Sequence, residues 1–262
     1  MSSFLRDYGW FLIFWSTLIL LGAMEYFAPE LPDDASRRRR WPVNLSLGLI
    51  NGLVTSSVPV LTVGSAQWAA NHQVGLLNWL AAPLWVVVPL TIVGRSLAQY
   101  VFHVLCHKVP LLWRLHRIHH CDTHLDATST LRNHPLELIA NMMFVSAMVA
   151  LLGLSPAVLV AYESAEALLN LLSHANIRVP PVAERIARAL FLTTPALHRI
   201  HHSARQEETD TNYGAAFLFW DWLFGTYRHK TAETEAFRFG LNEVSLERAE
   251  NLEVQLALPW RP

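Results

Sequence analysis

The apolar positions of this 262-residue chain fall into long runs rather than into the alternation of half-buried strands, and the runs predict helices. Residues 9–28, GWFLIFWSTLILLGAMEYFA, are long enough to cross about 30 Å of hydrocarbon as one helix. They lack the basic leader and small-residue exit of a cleaved signal, so they read as a retained span. The polar loop ELPDDASRRRRWP follows, and residues 43–63 form a second, less apolar span. A third runs over 79–102, where Pro83 and Pro89 are expected to kink it. Residues 136–152 and 157–173 are shorter apolar segments around Gly153, Ser155 and Pro156. Those three residues are a turn signature, so the pair reads as a helical hairpin that enters the bilayer and returns.

Orientation follows from charge. The run Arg37 to Arg40 argues for the cytoplasmic side of its loop. Span two then exits, span three re-enters, and residues 103–135 and 174–228 meet at the cytoplasmic face as a cap, followed by a cytoplasmic tail at 229–262. Composition agrees with a membrane: 52% of residues are hydrophobic and only 16% charged, where soluble domains carry about 25% charged. The net charge of −1 gives no reason to expect nucleic acid. The expected fold is an all-α integral membrane helical bundle, a single domain over 1–262, with a histidine-rich helical cap. Trp10, Trp15, Trp41, Trp79 and Trp85 read as interfacial belt residues.

The chain has 13 histidines, and all but His72 and His229 lie between His103 and His202. Residues three and four apart share a helix face. His103 and His107 are four apart, and LHRIHH occurs at 115–120 and again at 197–202. Each hexapeptide projects three imidazoles from one helical turn: His116, His119 and His120 in the first, His198, His201 and His202 in the second. His174 ends the hairpin on the same face. A lone histidine is usually structural; clusters that converge on one membrane face point to metal. One zinc takes four ligands or three plus water, so these nine imidazoles exceed one zinc site. A haem pair would need isolated histidines in facing spans, and no Glu-x-x-His motif of a carboxylate di-iron bundle is present. What remains is a binuclear site held almost entirely by histidine. Adjacent pairs such as His119 and His120 point about 100° apart on a helix, so each can serve a different ion. His134 is either a further ligand or a loop-shaping residue beside Pro135. Cys106 and Cys121 read as small buried thiols rather than ligands.

H-x3-H at 103–107 and H-x2-HH at 116–120 and 198–202 resemble the three histidine boxes of the fatty acid hydroxylase and sterol desaturase superfamily. The likeness extends to Trp113 before the second box, to RNHPLE at 132–137, to the lone histidine of SHANI, and to DTNYG at 210–214 and WDWLFGT at 220–226. It covers about residues 95–228. The resemblance implies an integral membrane enzyme with two iron ions and O2 as co-substrate, zinc replacing iron in overexpressed protein. Departures concern tuning: Gln99 stands where an acidic residue is frequent, Val104 where the first box often has Arg, and Asn170 where some members have His.

The chemistry is coherent. Oxidising an unactivated C–H bond needs a metal to activate O2 while the protein excludes competing reactions. Ligating histidines need partners for their outer ring N–H, and Asp122, Asp126, Glu137, Asp210 and Asp221 are candidates. Glu163 and Glu166 inside the hairpin are costly at that depth and point to function, to a pairing with Arg, or to a water-lined cavity. The expected reaction is hydroxylation of a lipid drawn from the bilayer, with desaturation or sterol or carotenoid oxidation by the same centre as the alternative. A non-catalytic zinc-binding membrane protein is the reading from another class. With no haem, flavin or dinucleotide signature in the chain, electrons are expected from a cytochrome b5-like or ferredoxin-like donor. The topology predicts that accessibility labels at Ser36 and Ala232 report the same, cytoplasmic side; labels on opposite sides would break the span count.

Overall fold

The computed structural model describes residues 3–32, 36–57, 61–231 and 237–261. Residues 33–35 of the arginine loop, 58–60 of the expected second span, and 232–236 of the tail, with Ala232, lie outside the described residues. Among those described, the chain is all-helical, its extended pairings being isolated bridges. Helix α1 spans Ser3–Phe27, α2 Arg37–Ser57, α3 Leu61–Asn71 and the short α4 Leu76–Trp79. Next come α5 Leu84–Lys108, α6 Pro110–His120, α7 Pro135–Leu152 and α8 Pro156–His174. The cap adds α9 Pro181–Ala189, α10 Pro195–His201, α11 Gln206–Thr209 and α12 Phe219–Phe224, and the tail α13 Leu246–Ala249 and α14 Leu252–Ala257. Among the described residues, three stretches are long and apolar enough to cross a membrane: Trp10–Phe27, Leu84–Lys108 and Pro135–Leu152.

Proline punctuates this architecture. Helices α6, α7, α8, α9 and α10 each begin with one, where the missing N–H would lack an intrahelical partner anyway and the fixed φ suits a helix. Pro110 also ends α5. The residue before a proline is pushed out of the helical region, and Val109 is extended at φ −97, ψ 116. Nothing stops α5 at residue 102, the expected end of its span, so it runs on to Lys108 and carries His103 and His107 in its last turns. At its other end Pro83 occupies the cap position, and the helix starts at Leu84 rather than at Trp79, which closes α4. The hairpin turn has Gly153 left-handed at φ 67 and the Ser155 hydroxyl accepting the Val158 N–H.

Two expectations change in detail. Helix α2 starts within the arginine run, and Arg40 is almost wholly buried. Its guanidinium donates to Asp122 at 3.0 Å, to Asp126 at 2.7 Å and to the His124 carbonyl at 2.8 Å. A buried charge persists only when paired in this way. The tail is also docked: Val244, Ala249 and Leu258 form a core with Val43, Leu47, Ile118 and Cys121. Of the tryptophans, Trp10, Trp79 and Trp85 are exposed, whereas Trp41 turns inward and donates to Asp126 at 3.1 Å.

Helices α3 and α5 pack on α7, and α4 touches its end at the hairpin turn. Gly75, at φ 98, precedes α4 with its backbone against the Ala150 carbonyl and the Gly153 amide, where a Cβ would overlap both. Gly52, by contrast, has open space around it. Gly75→Ala should therefore destabilise the protein by about 2–4 kcal/mol through backbone strain and overlap. Thermal unfolding in detergent should show that loss, with Gly52→Ala neutral or slightly stabilising; an unchanged midpoint for Gly75→Ala would contradict this packing.

Candidate metal centre

The two LHRIHH turns form the ends of α6 and α10, with His202 as the residue that caps α10. They meet across the cap and exchange side chains between two clusters. His103, His107, His116, His120 and His201 form one group that could hold a metal ion, and His119, His174, His198 and His202 form the other. In each group, one ligand atom per residue lies within 4.8 Å of all the rest. Each hexapeptide thus gives its second and sixth residues to one group and its fifth to the other. The rotation of about 100° between successive residues makes this division: neighbours on one turn cannot face the same point. The His120 and His202 rings, one from each group, stack with centroids 4.7 Å apart, so the groups share a wall.

The protonation pattern tests whether these residues fit a metal. His103 Nδ1 lies 2.6 Å from the Tyr213 carbonyl, His201 Nδ1 2.8 Å from that of Thr211, His119 Nδ1 3.2 Å from that of Arg132 and His174 Nδ1 2.8 Å from that of Asn170. A carbonyl only accepts, so each Nδ1 carries the proton and each Nε2 is a bare lone pair. His116 Nδ1 is likewise bound to the Glu137 carboxylate at 2.7 Å. These bare nitrogens then face one another: His103 and His116 at 3.1 Å, His103 and His201 at 3.1 Å, His119 and His174 at 3.2 Å. Facing lone pairs repel unless a cation sits between them. Donors at right angles around an ion with metal–nitrogen bonds of about 2.2 Å are about 3.1 Å apart, so the spacing fits a many-ligand transition-metal site.

Electrostatics keeps the imidazoles available. Burial, reinforced by the neighbouring imidazoles, pushes the pKa of His119, His120, His198 and His202 well below the ordinary range, and that of His201 down to about 3. The cap therefore holds neutral donors at physiological pH, the form a metal binds.

The outer contacts explain the flanking motifs. In RNHPLE, the Arg132 carbonyl holds His119 and Glu137 holds His116. The Arg132 guanidinium is fully buried and ties Ile118, Asn44, Ala249 and Gln255 together behind the site. His134 lies outside both groups; its ring caps α7 by accepting the Leu136 N–H at 3.1 Å. In DTNYG and WDWLFGT, the Asp221 carboxylate accepts from the Tyr213 and Gly214 amides at 2.8 Å each and from Thr226 at 2.7 Å. That clamp aims the Tyr213 carbonyl at His103. Burial raises the Asp221 pKa to about 6. Asp210 faces His107 Nδ1 at 3.3 Å and Lys108 at 2.7 Å. Asp122 and Asp126 bind Arg40 rather than an imidazole.

Sequence reasoning missed the backbone carbonyls of Tyr213, Thr211, Arg132 and Asn170, which leave no side-chain signal. It also passed over His124, which is buried outside both groups and faces Asn176 at 3.2 Å. Cys121 packs in the core, while Cys106 stands near His116 and Glu137. Glu163 and Glu166 pair with Arg95 at 2.9 and 3.0 Å, which compensates their burial. His72 is exposed and stacked on Trp68, and His229 stacks on Tyr227.

The family model described as fatty acid hydroxylase matches residues 88–226, over half the chain, and the chain belongs to that family. Among curated relatives, the ornithine lipid hydroxylase OlsE of Rhizobium tropici is 32% identical over 69% of this chain and 53% of its own. Human alkylglycerol monooxygenase is 27% identical over 75% of this chain and 43% of its own. Human cholesterol 25-hydroxylase is 28% identical over 49% of this chain and 46% of its own. The chain thus spans about half the length of the curated relatives it matches. No solved structure matches it.

Elemental analysis is expected to find two ions per chain in the wild type. His119→Ala leaves the four-histidine group with three donors and should bring the content toward one ion. His201→Ala leaves four donors in the other group and should cost less metal. One ion per wild-type chain would overturn the two-group reading.

Proposed function

We propose that this chain is an O2-dependent membrane hydroxylase that inserts one oxygen atom into a C–H bond of a lipid, with two iron ions held by the two imidazole groups. The observation that carries the reading is the set of paired, bare Nε2 atoms 3.1–3.2 Å apart, whose tautomers are dictated from outside by carbonyls and Glu137. Histidine donors leave the charge of a divalent ion uncancelled, which suits an electrophilic oxidant, and imidazole is a natural ligand for iron. Iron bound there would supply the activation of O2 that no side chain can perform. The overall reaction takes R–H, O2, two electrons and two protons to R–OH and water. Its electrons come from a separate protein, cytochrome b5-like or ferredoxin-like.

The chain's own residues hold the centre and shield it. Glu137 orients His116, and the Asp221 clamp orients His103 through Tyr213. A cavity of about 250 Å³ opens beside the imidazoles, walled by His103, His116, His119, His174 and His198 and by residues of α5, α7 and α8. Its position along these apolar helices suits a lipid that enters laterally from the bilayer. On this reading the chain is multi-pass with the centre at the cytoplasmic end of its spans, and the arginine run that opens α2 supports that orientation. The relatives named as lipid hydroxylases and monooxygenases support the reaction class.

Reconstituted protein loaded with iron, given reductant and 18O2, should yield a lipid product with one 18O atom per molecule. Zinc-loaded protein should yield none. Full activity with zinc alone, or product oxygen drawn from water, would overturn the hydroxylase reading.

A further inference from the structure

Helix α9 presents its faces the wrong way round for a helix on a water-soluble surface, which would bury its apolar side against the protein. Val182, Ile186 and the capping Leu190 stand four residues apart on one stripe, and all three are turned outward, 56–60% exposed. The polar side faces the protein instead: Glu184 accepts from Thr194 at 2.9 Å and from Arg188 at 2.6 Å. Thr194 in turn caps α10, which carries His198 and His201.

Helix α12 continues the outward apolar surface. Trp222, Leu223 and Phe224 are 51–59% exposed. Phe191 joins the two helices through ring contacts with Phe219 at 5.7 Å and Trp222 at 6.1 Å. Other contacts of α12 fix the level at which this surface lies. Trp220 Nε1 donates to Ser96 Oγ at 3.0 Å, and the Phe224 ring stacks on Tyr100 with centroids 5.6 Å apart. Both partners belong to α5, whose Leu84–Lys108 stretch is long and apolar enough to cross a membrane. Ser96 is the midpoint of that stretch, about 18 Å along the axis from Lys108. Phe217, just before α12, likewise stacks on Tyr162 of α8, about 18 Å along that helix from His174. The apolar surface is thus level with the middle of two apolar helices and not with the ends where the imidazoles gather.

We infer that α9 and α12 form a platform immersed in one leaflet of the bilayer beside α5, so that this side of the cap meets lipid rather than water. A contiguous exposed apolar surface marks an interaction site. Its occupant is the acyl region of the leaflet, because the surface is continuous with the outward side of a span. Helices with Phe, Leu and Trp on one face and basic residues on the other bind lipid interfaces in this way. Arg185, exposed at the edge of the α9 stripe, extends its charged head toward lipid phosphates while its stem covers apolar surface. Asp221 faces inward from α12 and clamps the turn that aims the Tyr213 carbonyl at His103. The platform therefore sets the position of that support relative to the membrane. Immersion is independent of the reaction that the centre performs.

Spin labels at Ile186→Cys and Trp222→Cys test the platform in full-length, zinc-loaded protein in phosphatidylcholine nanodiscs. Collision rates are measured with O2, which concentrates in hydrocarbon, and with an aqueous nickel chelate. A label at Glu207→Cys, exposed on α11 one turn before Asp210, the partner of Lys108, is the aqueous reference. The unsubstituted chain, whose Cys106 and Cys121 are buried, sets the background. The O2-to-nickel ratio at both platform positions should exceed that of the reference ten-fold or more. A ratio equal to the reference would overturn the platform. Labels shielded from both reagents would also overturn it, in favour of a protein–protein contact. Val182→Cys, on the outward stripe of α9, serves if Trp222→Cys folds poorly.

Discussion

An imidazole serves a metal only if one nitrogen has given its proton to something else, and most of this architecture follows from that constraint. Nine histidines buried together would be a repulsive set of rings if their tautomers were left free. Here the outer nitrogens of His103, His119, His174 and His201 are bound to main-chain carbonyls, and that of His116 to Glu137. The cost of crowding lone pairs at 3.1–3.2 Å is offset only when a cation shares them. The packing that folds the cap is therefore the same packing that builds two groups able to hold a metal ion.

The supports for that arrangement come from distant parts of the chain. Asp221, itself buried, clamps the turn that presents the Tyr213 carbonyl. Arg132 binds α2, α6 and the docked tail at once, and Arg40 does the same for α2 and the loop after the second histidine box. Both guanidiniums are nearly inaccessible, and each makes four hydrogen bonds to carboxylates, amides, carbonyls or a hydroxyl. Removing such a partner would leave a buried charge uncompensated, a loss of about 3–5 kcal/mol. Rigidity of the imidazole positions is thus maintained by charged residues that never touch a metal group.

Polarity within the apolar helices has two roles. Arg95, Glu163 and Glu166 satisfy one another, with Tyr162 donating to Glu166 at 3.0 Å. Gln99, Glu137, Asn141 and Asn170 instead line the cavity beside the imidazoles.

Much was legible in the sequence because its signals are local. Long apolar runs mark helices whatever they pack against, and H-x2-HH on a helix obliges neighbouring imidazoles to point apart. That periodicity alone implied two groups, and His119 and His120 do fall into different ones. Tertiary structure decided what no local pattern encodes. The composition of each group depends on α5, α6, α8 and α10 meeting at one place. The groups that orient the rings are mostly main-chain carbonyls, which every residue possesses and none advertises. Asp122 and Asp126 looked like partners for histidine, but a buried Arg40 claims them, because an unpaired guanidinium in that interior would cost more than an imidazole N–H turned to a carbonyl.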